Sequence, residues 1–243
     1  MRLHRQNVVL LHGHGVDDAI WEDLDAQIND VCTVIRPNVS LLTSCHSMED
    51  YADELNRFLT SSAVEKCILI GHSMGGYIAL EFARKYPHML EGFGLFHSTA
   101  FPDDEAKKEQ RDKMAELLRN QGAANFLRHT GANMYGERYK ELYPHKVQDH
   151  ISRYGKLPAE ALVAGINAMR NRLDGTDVLA SMPFPVLFII GMQDAIVPFE
   201  RSMEMVRYPR QSYPIVLAEA GHMGMVERPD ASARIIRWYA DQL

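Results

Sequence analysis

A chain of 243 residues that is 46% hydrophobic and 24% charged has a globular composition, which excludes a disordered, collagenous or coiled-coil protein. Its formal net charge of −6, without any Lys/Arg run, argues against nucleic-acid binding, and no stretch approaches the ~20 apolar residues of a membrane span. Met1 to Asn7 lead into only the short aliphatic run Val8–Leu11, below the roughly 7–15 residues of a secretory leader. A cytoplasmic protein is therefore expected, unless a targeting region lies outside this sequence.

In chain order, Val8–Leu11 reads as a buried strand ending at His12-Gly13, followed by helical spacing over Asp17–Ile28. Val31–Ile35 is a second strand stopped by Pro37, and Met48–Ser61 is an amphipathic helix with Tyr51, Leu55, Phe58 and Leu59 on one face. A third strand, Cys67–Ile70, precedes a helix over Met74–Tyr86 closed by Pro87, and Gly92–Phe96 is a fourth strand. Apolar strands alternating with helices predict a parallel sheet covered on both faces. Residues 98–183 contain no strand pattern: Asp103–Gln121, Ala123–Met134, Lys140–Arg153 and Ala159–Arg172 read as helices, punctuated by Gly122, Gly136 and Pro158. Strands resume at Pro185–Ile190 and Pro214–Leu217, and Asp230–Leu243 is a closing helix. The expected organisation is one domain over 1–243, with a core of 1–97 and 184–243 and a helical cap of 98–183. The cap carries 13 Lys/Arg against 12 Asp/Glu, so the acidic excess belongs to the core. A near-neutral cap points to an uncharged or apolar small-molecule substrate.

Gly71-His72-Ser73-Met74-Gly75 is a G-x-S-x-G motif set between a strand and a helix. Such a turn strains the serine backbone, so its neighbours must be small; Gly71 and Gly75 meet that need, and the helix N-terminus brings free N–H groups beside Ser73. A nucleophilic serine needs a base, and the base needs an orienting carboxylate. Asp194 follows the fifth strand and His222 the sixth, so both fall at strand C-terminal ends, in the order nucleophile, acid, base. Asp103 and Asp104, early in the cap, are the next candidates for the acid. Gly13 and Gly15, in His12-Gly13-His14-Gly15, free backbone near the serine, and the N–H groups of His14 and Met74 are expected to form an oxyanion hole. His12 and His72 read as structural, and Arg172 with Asp174 as an anchor for the cap. Met74, Met192, Met223 and Met225 adjoin site motifs and read mainly as packing. Three scattered cysteines (Cys32, Cys45, Cys67) fit reduced thiols, and no His spacing suggests a metal.

With Trp21, the stretch from Pro185 to Pro198, and Glu227-Arg228-Pro229 added, the chain resembles the α/β-hydrolase fold family over nearly its whole length. That resemblance implies a catalytic triad of Ser73, Asp194 and His222 under a helical cap, on a mostly parallel sheet of about six strands. The usual N-terminal hairpin is missing, which leaves Val31–Ile35 at an edge that either pairs in a homodimer or is covered in a monomer. His14 stands where relatives carry a large apolar residue; its imidazole either contacts a polar substrate or matters only through its backbone. The expected activity is that of a cofactor-independent serine carboxylesterase acting on a small, fairly apolar ester or thioester. The same triad also serves C–C bond hydrolases and menaquinone-pathway-type lyases, for which Arg119, Arg128 and Arg138 would hold a carboxylated substrate. It is further compatible with a small-molecule receptor whose triad is slow or vestigial.

Overall fold

The computed structural model describes residues 5–243; Met1–His4 lie outside the described residues. Strand β1 (Asn7–Leu11) is followed by a 3-10 turn (Asp18–Trp21) and helix α1 (Glu22–Ile28). Next come β2 (Thr33–Ile35), α2 (Met48–Ser61), β3 (Cys67–His72), α3 (Met74–Lys85) and β4 (Leu90–Phe96). The cap holds α4 (Glu105–Thr130), α5 (Glu137–Leu142), α6 (Pro144–Tyr154) and α7 (Ala159–Arg170), and α8 (Thr176–Ser181) leads back to the core. The chain ends with β5 (Val186–Gly191), α9 (Phe199–Met205), β6 (Ser212–Leu217), α10 (Gly224–Glu227) and α11 (Pro229–Ala240).

All six strands pair in parallel, in the order β2-β1-β3-β4-β5-β6. No strand precedes β1 among the described residues, and the three-residue β2 forms one edge. The chain steps from β1 outward to β2 and then back across to β3. Right-handed crossovers put the connecting helices α1 and α2 on opposite faces. Accordingly α1 packs on α11, and α2 on α3. Strands β1, β3 and β5 are apolar and almost wholly buried, as a sheet covered on both faces requires. Trp21, Tyr51, Tyr239, Phe82, Phe93, Phe96 and Phe188 are the largest fully buried side chains of the core.

The first hundred residues follow the hydrophobic pattern closely. Helix α2 starts where Ser47 and Asp50 form a capping box, each side chain accepting from the other residue's backbone N–H. The cap departs from expectation at one place. The segment expected as Lys140–Arg153 is two helices, because Pro144 cannot continue α5 and instead takes the first position of α6. Gly122 breaks the helical stretch as expected: its backbone is non-helical, with φ +76°, so α4 is two helical segments meeting at a kink. Helices α8, α9 and α10 are short additions whose patterns of four to seven residues are too brief for periodicity to reveal. The three cysteines are buried and free. No helix among the described residues is long and apolar enough to cross a membrane.

Candidate active site

Register brings the site together. Leu11 pairs with Gly71, and His72 with Phe96. The segments leaving β1, β3 and β4 therefore emerge side by side at the C-terminal edge of the sheet, where ligands bind in parallel α/β folds. Ser73 lies in the turn from β3 to α3 with φ +51°, a strained conformation costing about 1–3 kcal/mol that surrounding structure must hold. The glycines explain how the turn fits. A Cβ on Gly71 would strike the Gly75 carbonyl, and one on Gly75 the Leu11 carbonyl. The Ser73 N–H donates to the Phe96 carbonyl at 3.1 Å, and the Ser98 hydroxyl donates to the Ser73 carbonyl at 2.7 Å.

Asp194 and His222 meet across β5 and β6. His222 Nδ1–H donates to Asp194 Oδ2 at 2.8 Å, and Asp194 Oδ1 accepts the N–H groups of Ile196 and Val197 at 2.8 and 2.9 Å. Burial acts to raise the Asp194 carboxyl, yet the His222 imidazole and these N–H donors hold it below its ordinary value. The His72 ring crosses from the elbow, its Nε2–H donating to the His222 carbonyl at 2.9 Å, and the two imidazole centroids are 4.8 Å apart. Ser73 and His222 thus lie on neighbouring segments, although the Ser73 hydroxyl makes no hydrogen bond to the imidazole among the described residues. The site is covered: Ser73 is 9% exposed and His222 2%.

The backbone N–H groups of His14 and Met74 have no acceptor among the described residues. The His14 ring does more than sequence suggests. Its Nε2–H donates to the Leu162 carbonyl of α7 at 2.8 Å, which ties the loop after β1 to the cap. Burial under that helix lowers its pKa to about 4. Gly13 is needed because a Cβ there would lie 2.7 Å from His72 Nδ1, whereas Gly15 adopts φ +78°. His12 shapes its loop as expected, donating to the Gly13 carbonyl and accepting from the Val39 N–H.

Two residues escaped the sequence reading. His97, the residue after β4, is fully buried with φ +46°, and its Nδ1 lies 3.9 Å from Asp194 Oδ2. Neither of its ring nitrogens has a hydrogen-bond partner among the described residues, and burial lowers its pKa to about 3. Glu227 accepts the N–H groups of Gly221, Met223 and Gly136 at 2.9–3.1 Å, gripping both sides of His222 and the start of α5. Burial raises its carboxyl even so. Its position six residues after Gly221 was visible in the Glu-Arg-Pro motif, but its role was not.

One other assignment changes. Arg172 anchors the cap through Asp103, at 2.7 Å, and the Phe101 carbonyl, not through Asp174. Asp174 instead accepts from Thr176. Asp103 is consumed by Arg111 and Arg172, and Asp104 caps α4, so neither competes with Asp194 as the acid. Arg119, Arg128 and Arg138 are exposed; Arg128 bonds Asn125 and Arg138 pairs with Glu219. Of the methionines, Met74, Met223 and Met225 are buried packing, while Met192 is exposed.

This architecture defines the class. The sequence profile of the alpha/beta hydrolase family matches residues 8–235, and the chain belongs to that family. Its structure is similar to that of a thermophilic esterase from Thermogutta terrifontis with malate bound (TM-score 0.93, 30% identity, covering 98% of this chain and 90% of that one). In sequence it is 25% identical to a protein of Yersinia enterocolitica named a carbamate hydrolase, over 82% of this chain and 74% of that one. It is also 24% identical to the pimeloyl-acyl-carrier-protein methyl ester esterase of Vibrio parahaemolyticus, over 96% and 94% of the two chains. Membership in this family is compatible with ester-bond cleavage.

Proposed function

We propose that this protein is a cofactor-independent serine carboxylesterase acting on small esters through an acyl-enzyme on Ser73. The observation that carries the reading is the buried Asp194–His222 hydrogen bond beside a serine held at positive φ. The names of similar proteins, an esterase and a methyl ester esterase among them, support it. In this mechanism the Ser73 Oγ attacks the ester carbonyl carbon while His222 Nε2 takes its proton. Asp194 holds the imidazole in the Nδ1–H tautomer and stabilises the imidazolium. The N–H groups of His14 and Met74 receive the developing oxyanion, each worth roughly 10²–10³ in rate. His222 then protonates the leaving alcohol and activates water against the acyl-enzyme. The Ser73–His222 hydrogen bond forms on substrate binding, as apo sites often hold catalytic contacts loosely.

The test is release of p-nitrophenol from short acyl esters. Multiple turnovers abolished by Ser73→Ala, with fluorophosphonate labelling at Ser73, support the reading. Fewer than about one turnover per protein across an acyl-length panel favours the receptor reading.

A further inference from the structure

Where the cap joins the core, a cavity of about 300 Å³ is bounded by the apolar faces of Tyr77, Phe101 and Val197 and by several cations. It borders the candidate active site through Tyr77 and Val197. Tyr77 lies in the first turn of α3 after Ser73, and Val197 donates its N–H to Asp194. The Arg111 charge also acts on His14, helping to lower its pKa.

The charges in this cavity do not cancel. Asp103 is the buried counter-ion, but it serves two guanidinium groups: Arg111 Nε at 3.0 Å and Arg172 Nη1 at 2.7 Å. Arg172 spends its other N–H groups on the carbonyls of Phe101 and Met169. Arg111 does not. It is 8% exposed, and its two terminal nitrogens meet no acceptor among the described residues. Lys107 stands one turn earlier on the same face of α4, half-buried, and its ammonium also lacks a partner among the described residues. Burial, reinforced by the neighbouring Arg111 and Arg172, holds Lys107 below the ordinary lysine value. Asp104 also lines the cavity, but it is exposed and its Oδ1 accepts the Lys107 backbone N–H at the start of α4, so with Asp103 it only partly offsets the effect of burial on Lys107. Arg201, at the mouth, is paired with Glu204 and stacked on Phe101. The cavity is thus lined by four cations, Lys107, Arg111, Arg172 and Arg201, against the two carboxylates Asp103 and Asp104, a local positive excess that an anionic ligand group would balance.

We propose that Arg111 and Lys107 form a carboxylate-binding subsite, and that the preferred substrate is an ester carrying a free carboxylate, the half-ester of a short dicarboxylic acid. The Arg111 fork matches the two carboxylate oxygens and Lys107 adds a point charge, while Tyr77, Phe101 and Val197 hold the methylene chain. The proposal rests on the esterase reading above and names its substrate class. It revises the expectation of an uncharged substrate, which averaged charge over the whole cap and so missed a local excess.

The experiment compares monomethyl glutarate with methyl hexanoate by pH-stat, together with calorimetric titration of glutarate and of inorganic phosphate. The expected kcat/KM favours monomethyl glutarate by about tenfold or more, the scale of one charge-assisted contact. Lys107→Gln and Arg111→Lys should each lower that preference about fivefold or more, mainly through KM. Glutarate should bind the wild-type protein and bind Lys107→Gln about tenfold more weakly. A preference at or below one, a preference kept in both variants, or binding of phosphate but not glutarate would overturn the subsite. Glutarate binding without turnover of either ester would overturn the esterase reading and leave the subsite standing.

Discussion

Among the described residues, His222 shares Asp194 Oδ2 with no other hydrogen-bond donor, because Ile196 and Val197 occupy Oδ1. This division predicts a clean separation of fold from chemistry. In Asp194→Asn the amide oxygen can keep both backbone donors, while its NH2 faces His222 and forces the wrong tautomer. The expected loss in kcat is about 10⁴, with the fold retained. Esterase kinetics beside a thermal melt test this, and near-normal kcat would mean that another group orients His222.

Glu227 predicts a loss of a different kind. Its carboxylate accepts three backbone N–H groups, two of them flanking His222. Glu227→Gln turns one acceptor oxygen into an NH2, leaving at least one of those donors unpaired, at about 1–3 kcal/mol. Urea unfolding should show that loss. Turnover should fall by up to ~10², since a displacement of about 1 Å at a catalytic group has that effect. Unaltered stability and turnover together would show that the cradle does not set the His222 position.

Asp103 joins the start of the cap to its end by holding Arg111 and Arg172 together. Asp103→Ala leaves two buried guanidinium groups without their counter-ion, so a destabilisation of about 3–5 kcal/mol is expected. Asp103→Asn, which keeps an acceptor, should lose less. Chemical denaturation of the two variants distinguishes the ion pair from simple packing.

Acid should destabilise the fold through its buried imidazoles. Burial lowers the pKa of His97 to about 3 and of His150 to about 4, and lowers those of His12 and His72 as well. These rings stay neutral in the folded state while the unfolded chain takes up protons near the ordinary histidine value of 6.5. The stability is therefore fully present above that value and is lost as pH falls toward the folded pKa. Each ring contributes about 1.4 kcal/mol per pH unit within its window. Urea midpoints between pH 7 and pH 5 should fall steeply, and His150→Asn should flatten the slope by one proton. A flat profile in the wild type would contradict neutral burial.

Much of the fold was legible because its signals are local. The apolar run Cys67–Ile70, the glycines around Ser73 and the helical spacing over Met48–Ser61 each act within a few residues, and the structure reproduces them. The break inside Lys140–Arg153 was readable at Pro144 and was overridden by helical spacing on either side. The candidate site was legible as three residues at strand ends in a recognisable order, because parallel strands send all their C-termini to one edge.

Sequence alone therefore determined which residues could carry chemistry and on which edge of the sheet they stand. Only the tertiary structure decided what surrounds them. His97 sits behind Asp194 because β4 and β5 are neighbours, and nothing in the spacing of residues 97 and 194 announces that. Glu227 reaches Gly136 across 91 residues, and His14 reaches Leu162 across 148. The unbalanced pair Arg111 and Lys107 emerges only once Arg172, folded back from the far end of the cap, takes its share of Asp103. Periodicity and motifs encode short-range geometry; partners brought together by chain crossovers depend on how every element packs, and are set only when the core closes.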